Sequence, residues 1–214
     1  MNYFKPFLLM LSLLGFSGGV ACAQPISQDN PETLVKELSE TVVSEVDARR
    51  EELEADPQKI KAFADEFVLP YVDTPKMARY VMGRYWRTAT KAQQEAFVDA
   101  FTNTLLRSYS KSILKLKVTS IVVEKMIETR EGRASVKTEV TQADGNKSTV
   151  VYRAYWNKKK QKWFLYDVSI EGISMLLNYR KSFASEFQKS GIDDVIKGLV
   201  IKNNESKLVE PEES

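Results

Sequence analysis

The chain has 214 residues, of which 31 are lysine or arginine, 29 are aspartate or glutamate and none is histidine. Its formal net charge of +2 gives no strong positive field, which argues against nucleic acid as a partner. Because histidine is absent and the one cysteine, Cys22, lies near the N-terminus, few of the usual nucleophiles, general bases and metal ligands remain. The composition therefore lacks the commonest catalytic and metal-binding side chains.

Residues 1–23 have the pattern of a secretory signal peptide, with the cation Lys5, an apolar run over residues 7–14 and small residues before the expected cleavage site after Ala23. The apolar run is shorter than the roughly 20 residues of a membrane-spanning helix. Cleavage would remove Cys22 with the signal, whereas a lipoprotein anchored through Cys22 is the alternative. We expect an exported chain with one domain over residues 24–202.

Four helices are predicted before the first strand, because apolar residues recur at every third or fourth position. They cover residues 31–54, 56–68, 74–83 and 90–113, and each begins at or just after a residue suited to a helix start: Asn30, Asp56, Thr74 and Thr90. The fourth helix carries an inward face of residues spaced by four: Phe97, Phe101, Leu105 and Tyr109.

Strands are predicted next, because β-branched and aromatic residues dominate residues 118–123, 134–142, 148–156 and 163–170. The short turns ADGN and NKKKQK join these runs into an antiparallel meander. Helical spacing resumes at Ile173, and residues 203–214 are predicted to form a polar, disordered tail. This order predicts an α+β fold with helices packed on one face of a curved antiparallel sheet.

The predicted sheet carries apolar side chains on both faces. In the third strand, Val150, Tyr152, Ala154 and Trp156 would point to one face, and Val151 and Tyr155 would point to the other. In the last strand, Phe164, Tyr166, Val168 and Ile170 would point to the face opposite Trp163 and Leu165. Either the sheet is sandwiched between helices, or part of its concave face lines a cavity. Lys158, Lys159, Lys160 and Lys162 form a basic turn that suits a solvated hairpin better than an anionic surface.

Three segments carry a resemblance to a known family. They are YVDTPKMARYVMGRYWRTATKAQQEAFVDAFTNTLLRSYS at residues 71–110, WFLYDVSIEGISMLLNYRKSFASEF at residues 163–187 and SGIDDVIKGL at residues 190–199. Together they resemble the MlaC family, also known as the toluene-tolerance Ttg2D family, of periplasmic phospholipid-binding proteins. The resemblance extends over residues 31–199.

The resemblance implies an NTF2-like curved antiparallel sheet with added helices and an apolar lipid pocket between sheet and helices. It further implies a monomeric periplasmic carrier, without enzymatic activity or cofactor, that binds diacyl phospholipid. Its partners would be an outer-membrane lipoprotein–porin complex and an inner-membrane ABC transporter with an MCE-domain subunit. In the family, this transport maintains the lipid asymmetry of the outer membrane.

The residues that would contact lipid are predicted from the faces of the elements. They are Tyr80, Val81, Phe97, Phe101, Leu105, Tyr109, Val150, Tyr152, Tyr166, Val168, Met175, Leu176 and Tyr179. The free N–H groups of the helix that starts near Ile173 could bind a phosphate, but Glu171 beside them would repel it. The head-group candidates are therefore Arg79, Arg84 and Arg180.

Two functions from other classes stay open. An NTF2-like hydrolase or isomerase would need an acid or base in the pocket, and Asp167 and Glu171 are the candidates. A structural role for Asp167, as an anchor for a turn or for backbone amides, is the simpler interpretation. The other alternative is a periplasmic chaperone or adaptor that binds apolar protein segments.

Overall fold

A computed structural model describes residues 25–115 and 117–205 of the chain, so the predicted signal peptide lies outside the described residues. The first helices are α1 (Pro31–Ala48), α2 (Arg50–Ala55), α3 (Pro57–Phe67), α4 (Thr74–Met82) and α5 (Lys91–Lys115), with short helical turns at Leu69–Tyr71 and Gly83–Arg87. The strands are β1 (Val118–Arg130), β2 (Arg133–Gln142), β3 (Lys147–Asn157), β4 (Lys162–Ile170) and β5 (Ile173–Ser174). Helix α6 (Met175–Glu205) ends the described part.

The helix starts follow the local signals in the sequence. The Asn30 side chain accepts hydrogen bonds from the N–H groups of Glu32 and Thr33, at 2.7 and 3.3 Å. Thr90 and Gln93 exchange hydrogen bonds between side chain and backbone in both directions, at 2.9 and 3.2 Å, which forms a capping box. These contacts satisfy N–H groups that have no partner inside the helix.

Two helix boundaries differ from the prediction. The first predicted helix, residues 31–54, is interrupted at Arg49, whose non-helical backbone separates α1 from α2. The cap of α4 is Asp73 rather than Thr74, because the Asp73 carboxylate accepts the N–H of Lys76 at 2.9 Å. A carboxylate at this position also interacts favourably with the positive end of the helix dipole.

The five strands form one antiparallel meander in the order β1-β2-β3-β4-β5. The predicted α+β fold, with helices packed on an antiparallel sheet, is confirmed. The segment from Ile173 differs from the prediction, because Ile173 and Ser174 first pair with Ile170 and Ser169 as β5 before α6 begins. The intervening turn needs positive φ at both positions, 48° at Glu171 and 79° at Gly172.

Helices contact both faces of the sheet, so the sandwiched alternative holds and packing on one face alone does not. On one face, α1 packs Leu34, Val35 and Leu38 against side chains of three strands: Val136, Ala154 and Leu165. Tyr155 follows Ala154 and so points to the opposite face, where Lys76 of α4 lies 3.7 Å above the centre of its ring. The sheet is therefore sandwiched over part of its area.

A β-bulge in β4 redirects one predicted site residue. Tyr152 pairs with Val168 and Arg153 with Asp167, but Ala154 pairs with Leu165, so Tyr166 is an extra residue without a partner on β3. Tyr166 therefore packs beside Tyr155, at 6.0 Å between ring centres, on the face opposite Tyr152 and Val168. The prediction that Tyr166 and Val168 share one face is wrong.

An aromatic core lies between α4, α5 and α6. Phe97 is fully buried and packs against Phe101, Phe183 and Phe187, with ring centres 5.5 to 5.7 Å apart. A smaller cluster joins the end of α1 to α2, α3 and the last turn of α5 through five buried residues: Val46, Leu53, Phe63, Phe67 and Leu114. Helix α5 thus reaches from the aromatic core to the α1 side of the molecule.

Helix α6 changes direction at Gly191, whose φ of 78° and ψ of 178° are not helical. The second half packs Val195 and Leu199 into the aromatic core, and the Asn203 side chain donates a hydrogen bond to the Ala100 carbonyl at 2.9 Å. The helix continues to Glu205, three residues into the segment 203–214 predicted as a tail. The rest of that segment lies outside the described residues.

None of the described helices is long and apolar enough to cross a membrane.

Candidate functional site

A small, partly open apolar cavity of about 50 Å³ lies where the second half of α1, the end of α5 and the start of β1 meet. Its wall consists of aliphatic side chains and its rim carries one acid and one base: Val42, Val43, Val46, Ile113, Val118, Asp47 and Arg50. Ile113 keeps 45% of its surface exposed, which is high for an isoleucine beside a folded core. The wall therefore presents apolar surface that the fold itself does not cover.

The rim is held together by Arg50. Its guanidinium donates a hydrogen bond to the Leu114 carbonyl of α5 and forms an ion pair with Asp47 of α1. This bridge satisfies one of the final α5 carbonyls, which have no partner within the helix. It also connects the two helices that border the cavity.

The same face of α5 continues the apolar wall away from Ile113. Tyr109 and Leu105 lie four and eight residues earlier, so they share the face of Ile113. Tyr109 is half-buried. Burial raises its pKa to about 12, and the charge of Tyr179 and a hydrogen bond with Tyr179 add to this increase. Tyr179 in turn packs edge-on against Phe101, with ring centres 5.3 Å apart. A continuous stripe of α5 and α6 side chains thus leads from the cavity to the aromatic core.

Several residues predicted to contact lipid lie in the aromatic core instead of at this cavity. Val81, Phe97, Phe101 and Leu176 are fully or almost fully buried there, and Leu105, Tyr166 and Tyr179 pack at its edge. Among residues predicted from the helices, Leu105 and Tyr109 are nearest in sequence to the cavity wall. An acyl contact for the four core residues stays a prediction.

The remaining predicted lipid contacts are spread over the molecule. Tyr152 packs in the cluster under α1, with its neighbours Val150 and Val168 on the same face of the sheet. Met175 is half-buried at the start of α6. Tyr80 points outward from α4 with 40% of its surface exposed. The structure therefore does not bring the predicted set together around one cavity.

The three arginines predicted to bind the head group lie on the outer surface of α4, the following turn and α6. The guanidinium of Arg180 lies 4.7 Å from the ring centre of Tyr80. Arg84 donates a hydrogen bond to the Tyr85 hydroxyl at 2.9 Å, and Arg79 is exposed. None of the three lines the cavity between α1 and α5.

The N-terminus of α6 is not free to bind a phosphate. The Leu176 N–H donates to Asp167 at 3.0 Å, and the Leu177 N–H donates to the Ser174 hydroxyl at 3.1 Å. The structural interpretation of Asp167 is confirmed by this contact. Glu171, the other candidate acid, accepts the Thr149 N–H at 2.6 Å in an exposed turn. In the described part of the chain, no group of three acidic, histidine or cysteine residues could hold a metal ion.

The sequence prediction missed the α1 and β1 sides of the cavity. Val42, Val43 and Val46 come from α1 and Val118 from β1. One signal was available, because Val43 adds an apolar residue beside the inward stripe of α1, and Ile113 continues the four-residue spacing of Phe97 to Tyr109. The proximity of α1 to the end of α5 could not be predicted from either pattern alone.

Comparison with known proteins agrees with this architecture. The sequence profile of one family, described as "MlaC protein", matches residues 36–200. The chain belongs to the MlaC family. Two MlaC relatives are an intermembrane phospholipid transport system binding protein from Haemophilus influenzae and the toluene tolerance protein ttg2D from Pseudomonas putida. The first is 24% identical over 80% of this chain and 81% of its own, and the second is 24% identical over 78% of each.

The fold is also found in a solved structure. A phospholipid-binding protein from Ralstonia solanacearum, determined in complex with a phospholipid, superposes with a TM-score of 0.75. The match covers 81% of this chain and 97% of the other, at 22% sequence identity. The MlaC fold is thus shared almost over the full length of that protein.

Proposed function

We propose that this MlaC-family chain is a periplasmic phospholipid carrier and not an enzyme. The observation that carries the proposal is the aliphatic cavity bounded by α1, α5 and β1. Support also comes from two of the relatives, one named for intermembrane phospholipid transport and the other solved with a bound phospholipid. By analogy, it would carry phospholipid between an outer-membrane lipoprotein–porin complex and an inner-membrane ABC transporter.

The energetics of lipid transfer require that the acyl chains be enclosed by apolar surface. Two long acyl chains contain roughly 30 methylenes, and exposing each to water costs about 0.8 kcal/mol, so the total is on the order of 20 kcal/mol. Binding through the tails needs apolar volume and few polar groups. The valines and isoleucine of the cavity wall supply apolar surface of that kind, and the volume would come from widening of the cavity.

The cavity must widen to hold a phospholipid. Its volume of about 50 Å³ is far below the roughly 300–1,000 Å³ of pockets that hold drug-sized ligands. Separation of α1 from the end of α5 would lengthen it along Tyr109 and Leu105 toward Tyr179. That route would expose the apolar stripe already described, without opening the α1–sheet interface around Leu34.

A hydrolase or isomerase is less compatible with the site. Asp167 is the one buried acid on the sheet face near α6 in the described part of the chain, and its carboxylate accepts hydrogen bonds from Arg153, Ser174 and Leu176. A general base needs a lone pair directed at the substrate proton, within about 2.6–3.2 Å. The Asp167 lone pairs are directed at protein donors instead.

The experiment that tests the function is identification of what the protein carries. The protein is purified from the periplasmic fraction of expressing cells without detergent and extracted with organic solvent, and the extract is analysed by mass spectrometry. We expect stoichiometric diacyl phospholipid. An extract without lipid, from folded protein that also takes up none from phospholipid vesicles, would reject the carrier. Co-purified apolar peptides in place of lipid would favour the chaperone.

A further inference from the structure

Two cations share two tyrosine rings on the sheet face opposite α1. The ammonium of Lys76, on α4, lies 3.7 Å from the ring centre of Tyr155 and 6.0 Å from that of Tyr166. The guanidinium of Arg133, at the start of β2, lies 5.3 and 5.2 Å from the same two ring centres. Both cations are half-buried, and Tyr155 is buried. The two rings thus hold two positive charges close together.

Within the described part of the chain, neither cation forms an ion pair. Within residues 25–115 and 117–205, no carboxylate oxygen lies within 4.0 Å of the Lys76 ammonium or the Arg133 guanidinium. Neither side chain donates a hydrogen bond to any described group either. The three donors of an ammonium and the five of a guanidinium are therefore available to a ligand.

The nearest acid is already committed to other donors. Asp73 accepts a hydrogen bond from the Tyr155 hydroxyl through one oxygen and from the Lys76 backbone N–H through the other. Arg79 is a third cation close enough to act on Lys76. Burial, followed by the positive charge of Arg133, lowers the pKa of Lys76, and the negative charge of Asp73 offsets this only in part. An anion between the two cations would relieve the opposition of their like charges.

We propose that Lys76 and Arg133, on the platform of Tyr155 and Tyr166, form a binding site for an anion with phosphate-type oxygens. A guanidinium matches two oxygens of a phosphate at once, and an adjacent ammonium supplies a compact charge for a third. The tyrosine faces hold the two cations in place by cation–π attraction when no anion is bound. The anion can be free phosphate or the phosphate of a lipid head group at a membrane surface.

This site is separate from the proposed lipid cavity. Arg133 is paired with Tyr155 and faces away from α1, whereas three residues of the cavity wall belong to α1. The inference therefore does not rest on the proposed carrier function. A protein that carries lipid but binds no anion would contradict only the anion site. A protein that binds the anion but carries no lipid would contradict only the carrier function.

The first test is titration with inorganic phosphate. Binding is measured calorimetrically with the unaltered protein, Lys76→Gln, Arg133→Gln and the conservative Arg133→Lys. Removal of one charge-assisted contact is expected to weaken binding about tenfold or more, whereas Arg133→Lys keeps the charge and loses the paired geometry, so its effect is intermediate. The matched control is Lys159→Gln, in the exposed turn between β3 and β4, with binding unchanged.

The second test separates the two sources of the anion. Co-sedimentation is compared with vesicles of phosphatidylglycerol and of phosphatidylcholine. A lipid head group is identified if the protein is retained on the anionic vesicles, if Lys76→Gln and Arg133→Gln reduce that retention, and if phosphate displaces the protein. Phosphate binding without vesicle retention identifies a solution anion. The proposal is overturned if neither phosphate nor anionic vesicles bind the unaltered protein better than they bind the two folded variants.

Discussion

The N–H of Leu176, the second residue of α6, donates a hydrogen bond to Oδ1 of Asp167 on β4 at 3.0 Å. The other oxygen of Asp167 accepts from the Ser174 hydroxyl at 2.7 Å and from the Arg153 guanidinium at 2.6 Å. Only 1% of the Asp167 side chain is exposed, so the carboxylate depends on these three donors in place of water. Asp167 therefore fixes the start of α6 on the sheet.

The change Asp167→Asn should destabilise the fold without removing lipid. An amide oxygen can still accept the Leu176 N–H, but the charge-assisted bond with Arg153 is lost, at a cost of about 1.5–3 kcal/mol in the free energy of unfolding. Chemical denaturation measures the cost, and solvent extraction measures lipid content. The control Asp193→Asn alters an exposed acid that accepts a hydrogen bond from Gln93 at 2.7 Å, and should change stability by less than about 0.5 kcal/mol. A folded Asp167→Asn protein without any lipid would contradict this structural role.

Ile113→Arg should lower the lipid content of the purified protein. A charged side chain in the cavity wall opposes entry of an acyl chain, because an unpaired cation in an apolar enclosure keeps little of its hydration. The control is Ile201→Arg on α6, since Ile201 is 46% exposed and Ile113 is 45% exposed, but Ile201 does not line the cavity. Phospholipid per protein is measured by mass spectrometry. Equal lipid content in the two variants would show that this cavity does not hold the acyl chains.

Two glycines in α6 should respond to alanine in opposite directions. Gly191, with φ of 78° and ψ of 178°, adopts a conformation that side chains other than hydrogen rarely allow, so Gly191→Ala should lower the free energy of unfolding by about 1–3 kcal/mol. Gly198 is helical and an added Cβ would meet nothing within 4 Å, so Gly198→Ala should raise it by about 0.5–1 kcal/mol. Urea denaturation gives both values. If both variants lose the same stability, the change of direction at Gly191 is not a requirement of the native backbone.

Tyr109 should make stability depend on alkaline pH. Unfolded tyrosine loses its proton near pH 10, whereas folded Tyr109 retains it until about pH 12 because of burial and its contact with Tyr179. The folded state therefore holds more protons between these values, and its stability falls as pH rises through that window. The free energy of unfolding of the unaltered protein should exceed that of Tyr109→Phe by a constant amount below pH 10. This difference should shrink between pH 10 and about 12. Thermal unfolding across this range checks it, and a difference that is independent of pH would refute the assigned environment.

Short-range patterns determined most of the elements. The capping residues Asn30, Asp56 and Thr90 start their helices as predicted, since a cap depends on groups within three or four residues along the chain. The alternation in β2 placed Ala134, Val136 and Thr138 on one buried face for the same reason. Three segments of the sequence also resemble the MlaC family, to which the profile match over residues 36–200 assigns the chain.

The location of the cavity was decided by the tertiary structure alone. Val43 and Ile113 lie 70 positions apart in the chain, and their meeting depends on how α1 and α5 cross, which no local period encodes. The bulge at Tyr166 reversed the face assigned to that residue, because one extra residue shifts the two-residue period of a strand. Lys76 and Arg133 also meet only in the folded chain, because the rings of Tyr155 and Tyr166 point to the same face of the sheet and both cations lie over them. Sequence spacing predicts which side of an element a residue occupies, while only the packing of elements decides what that side faces.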